Sequence, residues 1–122
     1  MAGRTVLIAT DADEVFDEVD AAFADQSTDV ARVRAGRDVV DAIRALEPQF
    51  VILDLQIGNM GGVATCLEIR NEESGDRLPA QRVLLLLDRE ADTYLAQQAS
   101  ADGWLLKPLD PISLRRAAAA LP

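Results

Sequence analysis

The sequence contains no histidine and a single cysteine, Cys66. Without imidazole the commonest metal ligand and general base is missing, and one thiol cannot form an internal disulfide. Cys/His zinc sites and Ser-His catalytic triads are therefore excluded. Basic residues are also scarce: 12 Lys and Arg stand against 21 Asp and Glu, for a formal net charge of −9. Such a surface repels nucleic-acid phosphates and anionic membranes, so any partner is expected to offer basic or apolar surface. No run approaches the roughly 18 apolar residues of a membrane span. The early run Val6-Leu7-Ile8-Ala9 is too short for a signal-peptide core before acids intervene. The chain is expected to be cytoplasmic, without nucleic-acid or membrane contacts. Neither G-x-G-x-x-G nor G-x-x-x-x-G-K-[ST] occurs, so phosphate-cradling nucleotide loops have no support.

What is present is a chain of 122 residues, 49% of them hydrophobic, enough for one domain with a substantial core. Short β-branched or leucine-rich runs alternate with stretches of helical apolar spacing. The strand candidates are 4–10, 28–35, 50–54, 82–87 and 102–106. Between them Val15, Val19, Ala22 and Phe23 mark one helical face, and Val39, Ile43 and Leu46 a second. Val63, Cys66 and Leu67 mark a third face, and Leu114, Ala117, Ala118 and Leu121 a last one. A further short helix is expected within 90–100, and the polar segment 71–81 reads as a loop. Strands and helices in alternation imply an α/β fold, a doubly wound parallel sheet of five strands covered on both faces. Cys66 falls on an apolar face and reads as core. Asp13 suits a helix N-cap, with metal binding as its alternative.

In such sheets, ligands bind beyond the carboxyl ends of the strands. Strand 1 delivers Thr10, Asp11 and Asp13 there, strand 3 Asp54, strand 4 Leu87 and Asp88, and strand 5 Lys107 and Pro108. Two carboxylates within about 4 Å at an effective dielectric near 20 repel by about 4 kcal/mol. Lys107 offsets part of that, and a hard cation with oxygen ligands, most simply Mg²⁺, the rest.

The stretches VLIATDAD, FVILDLQIGNMGG and ADGWLLKPLD, in this order, resemble the CheY-like receiver domain of bacterial response regulators over essentially the whole chain. The resemblance implies a flavodoxin-like (βα)5 fold with strand order 2-1-3-4-5. It implies Asp54 as acceptor of a phosphoryl group from a sensor histidine kinase or phosphotransfer protein, and Lys107 as the cation that steadies the transferred oxygens. Mg²⁺ would be held by Asp11, Asp54 and the backbone carbonyl of Gln56, whose side chain would govern hydrolysis of the acyl phosphate. Gly58, Asn59, Gly61 and Gly62 would let the loop turn tightly into the next helix, and the Lys107-Pro108 bond resembles one that is often cis. Such a domain is a phosphoacceptor with at most slow autodephosphorylation, not an enzyme.

The chain departs from the family at two places. Thr10 replaces the first acid of the strand 1 pair, and a hydroxyl neutralises nothing. Either Leu87 or Asp88 stands where the family has a small hydroxyl residue that binds the phosphoryl group, and neither supplies one. The aromatic switch three residues before Lys107 is the bulky Trp104. Strand 5 is followed by residues 110–122, enough for one helix, so residues 1–122 are expected to form a single receiver domain with no output domain. Its signal would leave through helix 4, strand 5 and helix 5, from a monomer or weak homodimer. The first expectation is an atypical receiver in two-component phosphorelay signalling. The alternative is a phosphorylation-independent pseudo-receiver acting as a protein-protein interaction module. A haloacid-dehalogenase-like phosphatase is disfavoured, because it needs a second Asp where Gln56 stands.

Overall fold

Buried aliphatic runs form the three central strands and partly buried runs the two edge strands, with amphipathic stretches between them forming the helices. The computed structural model describes residues 4–24, 27–58 and 60–122. Its elements run β1 (Arg4–Ala9), α1 (Asp13–Ala22), β2 (Thr28–Val33), α2 (Val39–Leu46), β3 (Phe50–Asp54), α3 (Gly62–Ser74), β4 (Val83–Leu87), α4 (Thr93–Gln98), β5 (Gly103–Leu106) and α5 (Pro111–Ala119). All strand pairs are parallel and the sheet order is β2-β1-β3-β4-β5, the expected doubly wound arrangement.

Side chains alternate across a strand, and the alternation divides the core in two. Leu7, Val51, Leu53, Leu85 and Leu87 face α2, α3 and α4, where Ile43, Cys66 and Ile69 meet them. Val6, Ile8, Phe50, Ile52, Leu84 and Leu86 face α1 and α5, where Val15, Val19 and Leu114 meet them. Every residue of β3 and β4 is buried, which is why those strands carry no polar alternation.

Several details differ from the sequence expectations. Residues 71–74 continue α3 instead of beginning a loop. Their polarity reflects an exposed helix surface laced by ion pairs: Arg44 and Arg77 both bind Glu72, and Arg70 binds Glu73. Leu46 and Leu67 are 41% and 50% exposed, so neither belongs to the core. The buried face of α3 is Thr65, Cys66 and Ile69, with the Thr65 hydroxyl satisfied by donating to the Gly61 carbonyl. The expected helix in 90–100 is a short 3₁₀ turn, Glu90–Asp92, followed by α4. Asp13 caps nothing, because it is already the first residue of α1 and Ala12 holds the N-cap position.

The glycines after β3 act through close approach, not through unusual backbone angles. No described glycine has positive φ. A Cβ on Gly62 would lie 2.5 Å from the backbone carbonyl oxygen of Asp54, so glycine there lets α3 start directly against the end of β3. Asn59 lies outside the described residues. Gly62→Ala is expected to lower the unfolding free energy by about 1–3 kcal/mol, the usual cost of overpacking, in urea denaturation followed by circular dichroism.

Candidate functional site

Extending the sheet register by one residue beyond the strand ends assembles the site. Val6 pairs with Phe50 and Ile8 with Ile52, so the next residues on that face of β1 and β3 are Thr10 and Asp54. Their side chains meet: the Thr10 hydroxyl donates to Asp54 Oδ2 at 2.7 Å. On the other side Leu87 pairs with Leu106, and the next pair is Asp88 and Lys107. The Lys107 ammonium donates to Asp88 Oδ1 at 3.1 Å and to Asp54 Oδ1 at 2.6 Å. Thr10, Asp54, Asp88 and Lys107 thus form a row across the carboxyl edge of the sheet.

The row has a buried end and a wet end. Asp54 is 1% exposed and Thr10 fully buried. The side chains of Lys107 and Asp88 are 21% and 34% exposed. A buried carboxylate is tolerated when it is paired and hydrogen-bonded, and the Gln56 N–H adds a third bond to Asp54 at 3.2 Å. Burial works to lower the Lys107 pKa, but its hydrogen bonds to Asp54 and Asp88 and their negative charges outweigh burial and hold it above the ordinary 10.5.

Asp11 lies one residue on from Thr10, exposed, with Oδ2 accepting from the Gly58 N–H at 3.0 Å. Asp13 is drawn away from the row. Arg32 and Arg34 donate to its Oδ1 at 2.8 and 3.2 Å, and these bonds, with Arg32 first, hold its pKa below the usual carboxylate value. The sequence had left Leu87 and Asp88 as alternatives for the strand 4 position. Leu87 is fully buried on the α2–α3–α4 face, and Asp88 is the residue whose side chain reaches Lys107. Trp104, in β5, packs partly buried against that same core, and the Lys107–Pro108 bond is cis.

Arg32 is the site residue that sequence reasoning passed over. Its side chain is only 12% exposed, its Nε donates to the Thr10 carbonyl at 2.9 Å, and its guanidinium lies 5.2 Å from the Phe16 ring centre. It thereby fixes the loop that carries Thr10 and Asp11. An arginine two residues after Val30 on an apolar-facing position of β2 was the available signal.

Among the described residues there is no group of three or more His, Cys, Asp or Glu side chains placed to hold a metal. The carboxylates of Asp11 and Asp54 are nevertheless the kind of all-oxygen donors that suit Mg²⁺, which commonly takes one or two carboxylates and keeps several waters. A hydroxyl at Thr10 adds no charge to that pair, so the donor set fits a weakly held ion.

A family model described as the response regulator receiver domain matches residues 6–119. The nitrate/nitrite response regulator protein NarL of Escherichia coli is 28% identical over 95 residues. Those residues are 78% of this chain and 43% of that protein, so the chain spans less than half the length of the curated relative it matches. The signal receiver domain of response regulator NarL from Mycobacterium tuberculosis superposes with a TM-score of 0.81 at 27% identity, covering 98% of this chain and 95% of the other. The receiver domain of a sensor histidine kinase from Pseudomonas aeruginosa, solved with magnesium coordinated in its active site cleft, gives 0.79 at 22% identity over 94% of this chain and 93% of its own. The chemotaxis response regulator CheY4 of Vibrio cholerae gives 0.82 at 19% identity over 97% and 98%, and these last two are likenesses of fold.

The raised Lys107 pKa fixes the sign of a pH effect. Its stabilising contribution is complete below the unfolded value of 10.5 and is lost as pH rises through the higher folded value. The difference in unfolding free energy between the wild-type chain and Lys107→Met is accordingly expected to shrink as pH climbs past 10.5, measured by urea denaturation in a series of alkaline buffers.

Proposed function

The chain belongs to the response regulator receiver domain family, and from that premise we propose that it accepts a phosphoryl group on Asp54 in two-component signalling. The observation that carries this reading is the buried Asp54 carboxylate with the Lys107 ammonium 2.6 Å away at the carboxyl edge of the sheet. Rigid strands hold both groups where a mobile loop would not.

The chemistry follows from the donors around Asp54. An Asp54 oxygen attacks the phosphorus of a phosphohistidine on a sensor histidine kinase or phosphotransfer protein. The phosphorus–nitrogen bond breaks and the imidazole nitrogen keeps its electron pair. As charge spreads over the equatorial phosphoryl oxygens, the Lys107 ammonium moves onto one of them, while Thr10 and the Gln56 N–H keep the carboxylate oriented. Asp11, Asp54 and the Gln56 carbonyl would hold Mg²⁺, which when bound neutralises part of the transferring charge. The chain is a phosphoacceptor in this scheme. Its exposed Gln56 side chain stands at the site's opening, where water would attack during slow autodephosphorylation.

The setting is cytoplasmic, where such kinases present their phosphohistidines. Among the described residues no helix is long and apolar enough to cross a membrane. The partner-facing surface is that of α4, β5 and α5, where Tyr94 and Ile112 are 64% and 60% exposed. A phosphorylation-independent pseudo-receiver is the second reading. Thr10 occupying Asp54 Oδ2 and Asp88 occupying Lys107 favour it, because both fill positions a phosphoryl group and its metal would use.

Incubation with acetyl phosphate and Mg²⁺, read by intact mass spectrometry, is expected to add one phosphate to the wild-type chain and none to Asp54→Asn. Label that survives Asp54→Asn contradicts the assignment, and an unlabelled wild-type chain supports the second reading. Thr10→Asp is expected to tighten Mg²⁺ binding by about tenfold in calorimetric titration, since each added carboxylate contributes charge that a hydroxyl lacks.

A further inference from the structure

We propose that Asp88 is a charge gate on Lys107: it shares the ammonium with Asp54 in the unmodified chain and is expelled by the incoming phosphoryl group. The proposal rests on Asp54 being the phosphoacceptor and adds the residue that controls access to it.

The competition is one of charge around a single ammonium. A carboxylate offers about four lone-pair sites. Three at Asp54 are taken, by the Thr10 hydroxyl on Oδ2 and by Lys107 and the Gln56 N–H on Oδ1. Lys107 gives two of its three N–H donors to Asp54 and Asp88, so a phosphoryl oxygen arrives at an ammonium that already serves two carboxylates. A phosphoryl group brings a charge of about −2 to a place where Asp88 already contributes −1. The two anions repel each other across that ammonium.

Burial decides which of them yields. Asp54 has no water to turn to at 1% exposure, whereas the Asp88 side chain at 34% exposure rehydrates by rotating outward. Leu87, fully buried on the opposite face of the sheet, takes no part in this exchange.

The movement has a short path to the surface. Asp88 is followed by Arg89, whose N–H donates to Asp92 Oδ2 at 3.0 Å, and Asp92 is only 3% exposed at the start of α4. A shift of the backbone at residue 88 would reach α4, the helix presenting Tyr94 and Leu95 at 64% and 40% exposure, through the Arg89–Asp92 bond.

The test compares acetyl phosphate labelling of the wild-type chain, Asp88→Asn and Asp88→Glu, with Mg²⁺ present. Asp88→Asn is expected to label about fivefold faster, the effect of removing one like charge about 4 Å away when water screens it, and Asp88→Glu to stay near the wild-type rate. Wild-type labelling with Asp88→Asn no faster overturns the gate and leaves Asp54 as phosphoacceptor. Absence of label in all of these chains overturns both.

A second measurement needs no turnover. Backbone amide spectra of unmodified Asp88→Asn are expected to place residues 89–98 partway between the free and the beryllofluoride-bound wild-type chain. Changes confined to the neighbours of residue 88 contradict the gate.

Discussion

A single ammonium group, that of Lys107, ties the end of β3 to the end of β4. Asp54 is carried to the sheet edge by a strand buried on both faces, and a carboxylate so placed needs a cation within reach. Lys107 supplies it from β5 through the pairing of Leu87 with Leu106, which makes Asp88 and Lys107 the next pair. Breaking such a buried pair from one side typically costs about 3–5 kcal/mol. The row Thr10, Asp54, Lys107 and Asp88 is therefore as much a constraint on where the strands end as a site for chemistry.

Two substitutions relative to the family pattern change the balance of that row. Thr10 turns a charged neighbour of Asp54 into a neutral donor, and its hydroxyl fills one carboxylate oxygen. Asp88 sets a second carboxylate on the Lys107 ammonium. The row thus has a neutral donor on the buried side of Asp54 and a second acid at its wet end.

Much of this was legible in the sequence, for identifiable reasons. The fully apolar run Phe50–Leu53 announced a central parallel strand, and its terminal Asp54 stood out because nothing in a buried run calls for an acid. Lys107-Pro108 and the loop after Asp54 marked the same edge. What stayed hidden depends on contacts that cross the fold. Residues 71–81 looked like a loop because they are polar and contain Gly75 and Pro79, and the Arg44 guanidinium that pairs with Glu72 on α3 comes from α2. Leu67 looked like core because helical spacing alone does not say which of two adjacent apolar stripes faces the sheet. Arg32 was invisible because an arginine among alternating residues reads as solvated until Phe16 and the Thr10 carbonyl are seen to receive it. The choice between Leu87 and Asp88 needed the register of β4 against β5, which strand composition does not contain.

The central claim is that one lysine is shared between a buried and an exposed carboxylate. Nuclear magnetic resonance of the Lys107 side-chain nitrogen, correlated through hydrogen bonds to carboxyl carbons, tests it directly. The account predicts an ammonium protected from solvent exchange with couplings to both Asp54 and Asp88, while a rapidly exchanging Lys107 with no coupling to either would contradict it.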